Sequence, residues 1–125
     1  MGTIGKRYER HATLKPCSLD RRGLLELAAL VQKSYTRAEV ERYFRVSTTL
    51  GGSRIFADSL DELFTHPDLP PRLHNLSFWM EGWDQTSRFD KTVLLDFSKS
   101  SIQLQVEGSD TVWVFDKFAD LNRFL

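Results

Sequence analysis

The chain has 125 residues, 41% hydrophobic, 27% charged and 12% aromatic. That is the composition of a globular chain, with enough length for a core that needs neither disulfide nor metal. Formal net charge is zero, with 17 basic and 17 acidic residues; this gives little long-range steering toward nucleic acid. No apolar run approaches the ~20 residues of a membrane helix, the start MGTIGKRYERH has no apolar leader core, and the one cysteine, Cys17, permits no internal disulfide. These features lead us to expect a single domain spanning residues 1–125, in the cytoplasm.

Tyr8 to Leu14 reads as a strand closed by Pro16. Ser18 is a candidate N-cap, because its hydroxyl accepts from an orphan backbone N–H. Leu24, Leu27, Ala28 and Val31 then recur at spacings of three and four, one apolar face of a long helix. Leu25 and Leu30 widen that face. Thr36 to Glu41 fits either a loop or a helical turn. Tyr43 to Thr49 is aromatic and β-branched, as strands are. Gly51-Gly52 supplies a hairpin turn, and Arg54 to Ala57 returns. Ser59 and Glu62 form a capping box for a short helix over Leu60 to Thr65. The prolines of the next stretch, His66 to Pro71, end it.

The rest reads mainly as sheet. Leu76, Phe78 and Met80 alternate with Ser77, Trp79 and Glu81, and a polar loop follows from Asp84 to Asp90. With Lys99-Ser100 as a turn, Phe97 faces Ile102, Leu95 faces Leu104 and Val93 faces Val106, so every inward pair is apolar. With Gly108 to Asp110 as the next turn, Val112 to Phe115 forms a fourth strand, placing Val112 against Val106 and Trp113 against Gln105. A terminal helix capped by Asp116 closes the order. The expected class is α+β: an antiparallel meander sheet with one long helix and a C-terminal helix packed on one face. In element order this resembles helix-grip and TATA-box-binding-protein-like domains. The resemblance implies a fold and no activity.

This register leaves Leu94, Gln105 and Trp113 in one row on the outward face, with Trp79 on the neighbouring strand. Two tryptophans and a leucine there are either covered by the short helix or proline-rich loop, or form a contact patch rimmed by polar residues. The patch reading makes Trp79, Leu94, Gln105 and Trp113 candidate partner-binding residues. A nucleobase platform needs interleaved cations, whereas the neighbours here are Glu81, Asp96 and Glu107.

Charge is segregated along the chain. Residues 1–54 hold 11 Lys/Arg against 5 Asp/Glu, net +6, and residues 55–125 hold 6 against 12, net −6. Lys6, Arg7, Arg10, Lys15, Arg21 and Arg22 are the candidate anion-binding cluster, weighed against a solvated basic face that offsets the acidic half.

Catalytic patterns are sparse. Cys17 and His11 make a thiol–imidazole candidate only if the fold brings them within hydrogen-bond reach. His11, His66 and His74 lack metal-ligand spacing, Asp58, Asp61 and Glu62 suit a helix start, and Glu81 with Asp84 beside Trp79 and Trp83 is a weak acid/base pair. Gly51-Gly52-Ser53-Arg54 is too short for a phosphate loop. The expectation is a non-enzymatic interaction or assembly module without cofactor or metal, its partner another protein or a second copy in a homo-oligomer. One alternative is a ligand or enzymatic pocket between sheet and long helix, detectable as a cavity under Leu27 and Val31. The other, less favoured, is nucleic-acid binding through the N-terminal cluster.

Overall fold

A computed structural model describes residues 8–16, 19–33, 35–70, 75–84 and 89–125, with the backbone alone at 81–84 and 89–90. The elements in chain order are β1 (Tyr8–Leu14), α1 (Arg21–Gln32), α2 (Arg37–Tyr43), β2 (Arg45–Leu50), β3 (Ser53–Ala57), α3 (Leu60–Phe64), β4 (Leu76–Asp84), β5 (Phe89–Phe97), β6 (Ile102–Gly108) and α4 (Thr111–Phe124). The strands form one six-stranded sheet in the order β1-β6-β5-β4-β2-β3, and every pairing is antiparallel. The class is α+β.

Alternation fixes the sheet's inner side. Phe97 faces Ile102, Leu95 faces Leu104 and Val93 faces Val106, and β4 continues these rows with Leu76, Phe78 and Met80. All nine side chains are buried. A slip of one residue would turn each of them to the other side, so burial pins the register. The β2–β3 hairpin turns through Gly51 and Gly52, with φ of 55° and 83°. Both values lie in the left-handed region that glycine enters without a Cβ clash. The Thr48 hydroxyl donates to the Asn75 carbonyl and ties β2 to the start of β4.

Local capping chemistry sets the helix starts. Thr36 and Glu39 form a capping box that makes the ambiguous stretch after Tyr35 a helix, α2. Ser59 and Glu62 act at α3, where Ser59 Oγ accepts from Glu62 N and the Glu62 carboxylate accepts from Asp58 N. At α1 the cap is Asp20, whose carboxylate accepts from Gly23 N at 2.8 Å. Ser18, the expected cap, lies outside the described residues, as do Cys17 and residues 71–74. The long Asp84–Asp90 loop is shorter than its polarity suggests: β4 runs through Asp84, β5 starts at Phe89, and the two pair there.

The main correction concerns residues 111–115, which are not a fourth meander strand but the first turns of α4. The Asp110 carboxylate accepts from Val112 N and Trp113 N, which starts a helix before a strand can form. Trp113, Val114, Lys117, Phe118 and Leu121 then share its buried face, a helical spacing. The place beside β6 is taken by β1, pairing Arg10 with Val106 and Ala12 with Leu104.

Helices α1, α3 and α4 pack on the inner side, and α2 runs beside β4. Leu27 and Val31 have no solvent exposure. Both belong to the core cluster between sheet and helices. Lys117, 3% exposed, locks α4 to α1. Its ammonium donates to the carbonyls of Leu30, at 2.7 Å, and Lys33, at the end of α1. They belong to the last turn of the helix, where carbonyls run out of intrahelical donors and a cation suits the negative end of the helix dipole.

Burial lowers the Lys117 pKa to about 8, with Asp120 pulling upward and Lys33 and Lys91 adding to the fall. The unfolded chain holds this proton up to its ordinary value of 10.5, and the folded chain releases it above about 8. Between these values the unfolded state binds more protons, so this group makes stability rise with pH, by about 3 kcal/mol across the window. Lys117→Met should remove that rise, and its stability relative to wild type should fall as pH climbs from 7 to 10.5, because only wild type gains from deprotonation. Urea denaturation of both proteins at several pH values between 7 and 10.5 checks this.

Candidate functional site

The other side of the sheet carries the alternate residues of the same strands. The pairings line up His11 (β1), Gln105 (β6), Leu94 (β5), Trp79 (β4) and Arg45 (β2) in one row. Beside it runs a second row of Thr13, Gln103, Asp96, Ser77 and Ser47. The polar side chains in this second row bond to one another. Ser77 Oγ donates to Asp96 at 2.8 Å, and Thr13 Oγ1 donates to Gln103 Oε1 at 3.0 Å. Such cross-strand pairs order the surface without covering it.

Trp79 stands at the centre, 48% exposed. A hollow lies on each side of it. Toward β1 is a trough of about 510 Å³, floored by Leu94 and rimmed by Glu9, His11, Asp96, Gln103 and Gln105. Toward β3 is a second hollow of about 500 Å³, lined by Arg42, Tyr43, Arg45, Phe56, Asp58 and Glu62. Trp79 lines both. Phe56 on the edge strand β3 is 60% exposed. Arg45 Nε lies 3.3 Å from Asp58 Oδ1, an ion pair that spans β2 and the end of β3. The β1 end of the face therefore differs from the β3 end: Glu9 and Asp96 rim the trough with no arginine, whereas the β3-side hollow holds Arg42 and Arg45 with aromatic rings beside Asp58 and Glu62.

The predicted residues divide between two faces. Trp79, Leu94 and Gln105 meet in the outward row. Trp113 does not join them. It is 8% exposed on α4, edge-on to Tyr35 at 5.8 Å between ring centroids. Its expected outward position followed from reading residues 112–115 as a strand, and the Asp110 cap removes that strand. Phe115, the last residue of that expected strand, is on α4 under the Arg10 guanidinium.

The basic cluster meets several different elements. Arg10 lies on the inner side of β1, over Phe115 at 5.3 Å and Phe118 at 5.0 Å. Arg21 lies over Phe64 of α3 at 5.0 Å, and Arg22 pairs with Glu26 on its own helix at 3.4 Å. Lys15 is exposed beyond β1. Lys6 and Arg7 lie outside the described residues, as do His74 and the side chains of Glu81, Trp83 and Asp84. His66 Nδ1 accepts from Asp68 N, a local turn contact. Among the described residues no group of three His, Cys, Asp or Glu side chains could hold a metal ion, and no helix is long and apolar enough to cross a membrane.

Sequence reasoning missed His11, Glu9, Tyr43, Arg45 and Phe56 as members of the outward face. The alternation of Glu9, His11 and Thr13 against Ala12 and Leu14 carries the signal for β1. What local pattern lacks is the strand's neighbour, which comes from a pairing some 90 residues along the chain. The chain matches no protein-family model, and neither curated proteins nor solved structures supply a match.

The two tryptophans offer a direct check of this geometry. Trp113→Ser should cost about 3–5 kcal/mol, the range for truncating a buried large aromatic. Trp79→Ser should cost less than about 1 kcal/mol, because half the side chain is already in water. Chemical denaturation of both variants measures the contrast.

Proposed function

We propose that this chain is a non-enzymatic interaction module that binds protein through the open face of its sheet. The observation that carries the reading is Trp79, half exposed between two hollows on a face that none of the three core-packing helices covers. Tryptophan anchors are the side chains that most often dominate protein contacts. The surroundings have the composition of a contact rim, with amides, hydroxyls and carboxylates around an apolar centre. The carboxylates Glu9 and Asp96 at the trough disfavour a phosphate backbone there. The described basic residues support nucleic-acid binding weakly, since Arg10, Arg21 and Arg22 are engaged with different elements.

A second reading has one observation in its favour. The trough volume of about 510 Å³ falls in the range of small-ligand sites, so a neutral or cationic ligand stacked on Trp79 would use the same residues. A protein partner makes fuller use of the face, because Trp79 bridges two hollows and Phe56 extends the apolar surface to the edge strand.

Photo-crosslinking in the native host tests the reading. A photoreactive residue at position 105 should form protein adducts that Trp79→Ser abolishes. The same residue at position 25, exposed on α1, should form none. Adducts at position 25 alone, or adducts at 105 that survive Trp79→Ser, would contradict it.

A further inference from the structure

We infer that the partner of this face is a second copy of the same chain, docked face to face about a two-fold axis that runs between β4 and β5 parallel to the strands. The inference rests on the interaction reading above and names its partner. A two-fold contact must be self-complementary, so that each feature meets its counterpart on the same surface. The outward face has this property. Trp79 projects on one side of the proposed axis, and the trough floored by Leu94 lies on the other, in the same row. Rotation about the axis places each copy's Trp79 over the other's Leu94.

The charges follow the same operation. Farther from the axis in this row, Arg45 and its ion partner Asp58 lie on one side, and Gln105 and His11 on the other. The rotation brings Asp58 opposite His11. At the end of the face where α2 leads into β2, Arg42 is exposed and lines the hollow toward β3. The exposed Glu9, across the axis on β1, lines the trough. The rotation sets them against each other, and the pair occurs twice in the dimer. The two sheets then stack with their strands aligned, the arrangement of face-to-face sandwiches.

The size of the face sets the strength. Five inter-strand gaps of ~4.8 Å and a length of about six residue steps give roughly 500 Å² of projected area per copy. Twice that is near the lower limit of about 1,000 Å² for a specific interface. The dimer should therefore be a concentration-dependent one, with half-association in the micromolar range.

Charge reversal in the purified full chain tests the inference by sedimentation equilibrium. Wild type should dimerise. Glu9→Arg and Arg42→Glu should each raise the half-association concentration at least tenfold. An equimolar mixture of the two variants should form a heterodimer within about threefold of wild-type strength, because one of its two charge pairs is restored with reversed sign and the other keeps the wild-type sense. Thermal unfolding of each variant close to wild type separates weakened docking from lost fold. A chain that stays monomeric to millimolar concentration overturns the second-copy inference, and the photo-crosslinking result then decides separately whether the face binds another protein. A dimer lost in Trp79→Ser but indifferent to both reversals overturns the proposed axis while sparing the face as a contact surface.

Discussion

The ammonium group of Lys117 sits where two helices meet and donates to carbonyls at the end of α1 from a position on α4. The contact joins residues 87 positions apart, and it does what a surface ion pair could not. It satisfies helix-end acceptors from a side chain that is itself buried, and it holds the C-terminal helix against the first one. With α4 held there, its apolar stripe lies over β6 and β1, while α1 and α3 join the same core. The helices that build the core thus share one side of the sheet. The opposite side keeps a tryptophan and a row of amides, hydroxyls and charges facing outward.

This division of labour explains why the two faces have different chemistry. On the inner side β4, β5 and β6 present apolar residues at Leu76, Phe78, Met80, Val93, Leu95, Phe97, Ile102, Leu104 and Val106, because helices enclose them, and a change of register would bury polar groups. On the outer side the same strands carry cross-strand hydrogen bonds, such as Ser77 to Asp96 and Thr13 to Gln103, that order a surface without burying it. Trp79 departs from that pattern, as do Leu94 and Phe56. The exposure of Trp79 removes apolar surface from the core, and its position between two hollows gives that surface a place to be buried by a partner.

Much of the fold was legible in the residues themselves. The alternation in β5 and β6 was strong enough to set the Phe97–Ile102 register, and the Ser59 cap located α3, with Glu62 reaching Asp58 N and not the Ser59 N–H of the expected box. The outward positions of Leu94 and Gln105 came with that register. The error at residues 111–115 has a definite cause. Val112, Trp113, Val114 and Phe115 have high strand propensity, and strand propensity yields readily to tertiary context. The stronger signal was Asp110 at the N-cap together with Lys117 in the buried stripe, where a lysine is ordinarily read as solvent-facing. A buried lysine is legible only once its acceptors are known, and these belong to a helix far earlier in the chain. The same limit hid the neighbour of β1: the strand Tyr8–Leu14 was legible, but its pairing with β6 is long-range.

The central claim is that the uncovered face of the sheet is where this protein makes contact. Amide NMR spectra recorded over a dilution series test it most directly. The account predicts concentration-dependent shifts concentrated in the outward row, at His11, Gln105, Leu94 and Trp79, with the buried positions of α1 and α4 unmoved. Shifts confined to the helical side or to the outer edge of β3, or spectra that do not change with concentration and show no partner-induced change at that row in the presence of the crosslinked protein, would contradict it.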